Sequence, residues 1–70
     1  MKNVLEDHRN RKGWTQQELA DRTGVSRQTI ISLEKGRYNP SIVLAFRLAR
    51  QFGVSIEELF QFSEEDNDHE

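Results

Sequence analysis

Two helix starts and two helix stops crowd into the 22 residues from Thr15 to Gly36, TQQELADRTGVSRQTIISLEKG. Little besides two short helices meeting at a corner fits that punctuation. Thr15 and Glu18 have the T-x-x-E spacing of a capping box, in which hydroxyl and carboxylate satisfy amides that the first helical turn cannot pair internally. Gly24 can take the left-handed conformation that ends a helix without a Cβ clash. Ser26 then caps a further helix, and Gly36 ends it. Only residues 24–26 separate the two, so the second helix must turn sharply across the first. Leu19, Ala20 and Thr23 share one side of the first helix, while Ile30 and Leu33 continue an apolar stripe with Val25 in the second.

The rest of the chain uses the same signals. Asn3, followed three residues on by Glu6, predicts a helix over residues 4–12 that Gly13 stops. Pro40 biases Asn39 away from helix, and Ser41 caps a helix running to about Phe52. Its expected buried stripe is Ile42, Ala45, Leu48, Ala49 and Phe52, with Arg47 and Arg50 on the other side. Gly53 closes it. Ser55 and Glu58 repeat the capping box and open a short helix whose apolar side is Ile56, Leu59 and Phe60. The expectation is all-α: five short helices in one domain over residues 1–62, then SEEDNDHE, residues 63–70, as an acidic disordered tail.

Seventy residues with 34% apolar content hold one core. Folds this small usually lean on disulfides, metals or association. Cysteine is absent, which removes disulfides, thiolate zinc sites and thiol catalysis, and His8 and His69 lack ligand spacing. No cofactor or metal is expected, and a second copy of the chain becomes the expected stabilising partner. The start MKNVLEDH is acidic without an apolar run, and no stretch is long enough to span a membrane, so a cytoplasmic location is expected. The net charge of −2 conceals an asymmetry: residues 1–52 carry all ten Lys and Arg against five acids, and residues 53–70 carry seven acids and no base. That pattern points to a basic working surface with an acidic end.

With Ile30 and Leu33 turned inward, Arg27, Gln28, Ile31 and Ser32 fall on the outward side of the helix that Ser26 opens. A core cannot use that mixture, but a base edge can. An α-helix fits the major groove of B-DNA, where Arg pairs with guanine O6 and N7, Gln with adenine N6 and N7, and apolar atoms touch the thymine methyl.

WTQQELADRTGVSRQTI, the loop LEKGRYNPS and the helix pair LAFRLARQFGVSIEELF together resemble the helix-turn-helix domain of Xre regulators, the Cro and cI type. The resemblance covers nearly the whole chain and implies a five-helix, lambda-repressor-like DNA-binding fold. It implies a sequence-specific transcriptional regulator, usually a repressor, that binds a pseudo-palindromic double-stranded operator as a homodimer. Arg27, Gln28, Ile31 and Ser32 match the family's base-reading positions. Gln16, Thr29, Lys35, Arg37 and Asn39 match residues that hold the DNA backbone, and Arg9 with Glu34 match a partly buried salt bridge. Two departures stand out. His8 occupies a position commonly aliphatic, as a core histidine or the mark of a looser first helix, and Ile31 replaces what is often Asn or Ser. Trp14 reads as an anchor at the core's edge rather than a base-stacking residue.

Phe60 and Phe62 exceed what so small a core needs, which makes the end of the fourth helix and the fifth helix, with the strand-like FQF that follows, the expected dimer interface. In short members of the family the chain ends can pair as a small β-ribbon, here residues 1–3 with residues 61–63. An alternative function is an antitoxin-type module that binds a basic protein partner through the acidic tail and regulates its own gene. An enzyme is not expected: Asp66, Asp68, His69 and Glu70 lie in a tail that cannot be preorganised, and catalysis requires preorganised groups.

Overall fold

Four of the five helices open on a hydroxyl residue whose side chain accepts a hydrogen bond from an amide three residues on. In a computed structural model, which describes residues 3–60, these helices are α1 (Leu5–Lys12), α2 (Gln16–Thr23), α3 (Arg27–Glu34), α4 (Ile42–Phe52) and α5 (Ile56–Leu59). Thr15 Oγ1 accepts from the Glu18 amide at 3.0 Å, and the Glu18 carboxylate accepts from the Thr15 amide at 2.8 Å. Ser55 and Glu58 form the same reciprocal pair. Ser26 and Ser41 cap α3 and α4 through the amides of Thr29 and Leu44. Each cap satisfies a donor that the helix start leaves orphaned.

α1 departs from the expected pattern. It begins at Leu5 with Val4 as its N-cap, and the Val4 amide donates to the Leu59 carbonyl at 3.0 Å, which ties the chain start to the end of α5. Asn3 still serves the helix: its Oδ1 accepts from the Leu5 amide at 3.1 Å. Its Nδ2 donates to the Leu33 carbonyl at 2.8 Å, so one side chain joins the start of α1 to the end of α3. Glu6 does not reach back to Asn3 but lies 4.0 Å from Arg9.

The corner between α2 and α3 rests on Gly24, which holds φ +77°. Its amide and that of Val25 both donate to the Ala20 carbonyl, at 2.9 and 3.1 Å, which closes α2 and redirects the chain. Ala20 is fully buried, so the two helices pack closely where they meet. An added Cβ at Gly24 would meet only the Arg47 guanidinium, at 3.8 Å, so space is not the constraint. Gly24→Ala therefore incurs only the left-handed backbone penalty, about 1–2 kcal/mol. A thermal melt should show the midpoint falling by roughly 4–8 °C per kcal/mol in a domain of this size.

α2 packs on α3 and α4, α1 on α3, and α4 on α5. The inward stripe of α4 is Leu44, Ala45, Leu48, Ala49 and Phe52. Ile42, expected in that stripe, is 73% exposed instead. It falls at the stripe's margin in the first turn, where helical side chains lean toward the N-terminus and here project past the core. Phe60, expected at a dimer interface, is 1% exposed and belongs to the subunit's own core beside Leu5 and Leu59. A side chain with no free surface has none to give a partner. An antiparallel bridge joins Phe60 to Asn3. The remaining residues of the anticipated ribbon, 1–2 and 61–63, lie outside the described residues, as do Phe62 and the acidic tail. His8 is half-buried with its ring 5.5 Å from that of Phe52, and Trp14 contacts the same ring from the core's edge. Among the described residues, no helix is long and apolar enough to cross a membrane.

Candidate nucleic-acid interface

α3 has two unlike sides. Ile30 and Leu33 are fully buried, whereas Arg27 and Gln28 stand exposed and Thr29, Ile31 and Ser32 are half-buried. The Ser26 cap sets the helix start, so Arg27 is its first residue and is exposed there. The Thr29 hydroxyl lies 3.0 Å from that of Ser26, which holds it beside the first turn. Ser26, Gln28, Thr29 and Ser32 then share a recess of about 400 Å³ with Arg37 and Tyr38 from the following loop. Lys35, Arg37 and Asn39 are exposed along that loop. The arrangement offers a fork of charge-bearing donors, an amide, an aliphatic edge and hydroxyls along one accessible helix, with cations at its flank.

Behind this surface lies a buried ionic cluster. Arg9 Nε donates to Glu34 Oε2 at 2.6 Å and Arg9 Nη2 donates to Glu34 Oε1 at 3.3 Å, while Nη1 reaches the Trp14 carbonyl at 2.9 Å. The two side chains are only 10% and 5% exposed, so this is a buried pair joining α1 to the end of α3, not two solvated charges. The hydrogen bond to Glu34 holds the Arg9 guanidinium above its ordinary pKa, against the opposing effect of burial, with the nearby charges of Glu34 and Glu6 adding to the rise. Gln16, the first residue of α2, donates Nε2 to Glu34 Oε1 at 3.0 Å. Its carboxamide is thereby fixed at a helix N-terminus, where backbone amides and the helix dipole favour an anion. Among the described residues, no buried side-chain nitrogen or oxygen lacks a hydrogen-bond partner.

Sequence reasoning missed two contributors. Tyr38 lines the recess beside Gln28 and Ser32, and the only signal for it was an amphipathic ring between Arg37 and Asn39. Arg47 was assigned to the outer side of α4 with no task, yet its Nη1 lies 3.5 Å from the Thr23 carbonyl at the end of α2, where a cation suits the dipole.

Residues 5–59 match the Helix-turn-helix family, a span that takes in all five helices. The chain is a helix-turn-helix protein of the Xre type. This Xre-type chain is 53% identical, over 66 residues, to an uncharacterized HTH-type transcriptional regulator of Methanothermobacter thermautotrophicus. That alignment covers 93% of this chain and 96% of the relative. It is 35% identical over 60 residues to the cryptic phage CTXphi transcriptional repressor RstR of Vibrio cholerae, covering 86% of this chain and 54% of the repressor. Among solved structures, the restriction-modification controller protein C.AhdI from Aeromonas hydrophila superposes with a TM-score of 0.73 at 34% identity. The superposition covers 80% of this chain and 85% of the controller. The Xre-type fold is lambda-repressor-like, and the class is one of DNA-binding transcriptional regulators rather than enzymes.

Proposed function

We propose that this regulator binds a pseudo-palindromic operator as a homodimer and represses transcription, each copy laying α3 in a major groove about one helical turn, roughly 34 Å, from the other. The observation that carries the reading is the exposure of Arg27 and Gln28 on α3, opposite the buried Ile30 and Leu33. In this arrangement Arg27 pairs with a guanine edge and Gln28 with an adenine edge. Ile31 packs on a thymine methyl, and Ser32 completes the base contacts. Gln16, Thr29, Lys35, Arg37 and Asn39 hold phosphates on either side, which sets register without reading sequence. Repression is supported by RstR, a relative named as a transcriptional repressor.

Selection of duplexes from a random pool, with the selected duplex then titrated at several salt concentrations, tests this reading. The expected product is an inverted repeat with half-sites about 10 base pairs apart. Lys35 and Arg37 from two subunits engage about four phosphates, so log K should fall against log salt with a slope of about −3.6. Arg37→Ala should lower that slope by about 2, one phosphate per half-site, without changing the preferred sequence. Recovery of no preferred sequence, or binding indifferent to salt, would contradict the proposal.

A further inference from the structure

Among the described residues, the core leaves an apolar surface on α4 unexplained. Ile42, Val43 and Phe46 on α4 are 73%, 55% and 53% exposed. Their spacing of one and four places them together on the side of the helix turned away from the Leu44 and Leu48 stripe. None carries a charge or a hydrogen-bonding side chain. The Arg50 guanidinium lies 5.7 Å from the centre of the Phe46 ring and borders the patch with a cation.

We infer that this side of α4 is where a second copy of the chain docks. The inference rests on the dimeric reading above and gives it a surface, in place of the buried Phe60. The three side chains expose on the order of 300 Å² of apolar surface, a large patch for a chain of this size. A two-fold axis at the patch counts it twice, supplying the apolar centre of an interface whose standard size is about 800 Å² per partner. The three side chains themselves carry no charge, and the exposed Arg50 guanidinium beside Phe46 falls at the rim of the interface, where it keeps its contact with water. α4 begins directly after the loop that holds Arg37 and Tyr38, so an axis at its start is flanked by two of the recesses that Gln28 and Ser32 line.

Sedimentation equilibrium of the full chain tests the inference, with Phe46→Glu, Ile42→Glu and the conservative Phe46→Leu compared with wild type. Wild type and Phe46→Leu should be dimers. Each Glu variant should weaken self-association at least about thirtyfold, as expected of a central interface residue. Their helical circular dichroism should be unchanged, because both positions already face solvent. Should Phe46→Glu fail to fold, the more exposed Ile42→Glu decides. Binding to a duplex with a single half-site should be the same for wild type and variants, with only the full operator bound more weakly. Glu variants that dimerise as tightly as wild type would overturn the α4 surface and leave the dimeric reading standing. A wild type that is monomeric both free and on the selected duplex would overturn both.

Discussion

Replacing Glu34 by alanine should remove a large share of the fold's stability, about 3–5 kcal/mol. The magnitude follows from burial. Exposed ion pairs contribute about 0–1 kcal/mol, but removing one partner of a buried pair costs about 3–5 kcal/mol because the other charge is left uncompensated. With side chains 10% and 5% exposed, Arg9 and Glu34 belong to the second case. Seventy residues at about 0.05–0.15 kcal/mol each have a total stability of about 4–10 kcal/mol, so the loss is a large share of it. Thermal melts followed by circular dichroism should show a midpoint at least about 12 °C lower. Glu34→Gln, which keeps an acceptor for Arg9 and Gln16, should fall between wild type and Glu34→Ala. A shift of only two or three degrees in Glu34→Ala would show that the pair behaves as a solvated one. The pH dependence has a definite sign: a guanidinium raised above its ordinary pKa contributes in full at every lower pH, and its contribution is lost only as pH rises through the folded value. From Arg9, then, no pH dependence arises anywhere near neutrality.

Arg27→Ala should do the opposite, sparing the fold and abolishing operator preference. Arg27 is exposed at the first position of a helix whose cap is Ser26, and alanine is at least as good a helix former. A bidentate arginine–guanine contact discriminates by about 1–3 kcal/mol. In a two-fold complex the loss occurs twice, about 2–6 kcal/mol, or roughly 30-fold to 2 × 10⁴-fold in the ratio of selected to random duplex affinity. Competition binding measures that ratio, and an unaltered melting midpoint confirms the fold. Lys35→Ala supplies the contrast: in the proposed complex Lys35 holds a phosphate, so its loss should weaken selected and random duplexes alike.

What could be read in the sequence divides by the distance over which each feature is determined. The helix starts at Thr15, Ser26, Ser41 and Ser55 and the stop at Gly24 depend on atoms within three or four residues, so pattern alone located them. The outward row of α3 followed from the inward pair Ile30 and Leu33, because one helical side implies the other. Features decided by partners far along the chain were misread or missed. Phe60 lies in the buried core, its backbone bridged to Asn3 from the other end of the sequence. Ile42 and Leu44 are both aliphatic and close together, and only the packing of α4 on α2 and α5 tells which is inside. The pairing of Arg9 with Glu34 was an expectation from family resemblance rather than from spacing. The bond from Gln16 to the same carboxylate had no local signal at all.

In the proposed complex the Arg27 guanidinium reads a guanine edge in the major groove. A double-substitution cycle, crossing Arg27→Ala with replacement of a guanine in each half-site of the selected duplex by 7-deazaguanine, measures that contact most directly, because only N7 is removed from the base. One guanine position per half-site is expected at which wild type loses affinity and Arg27→Ala does not. Equal losses for both proteins at every guanine, or no loss for either, would contradict that reading.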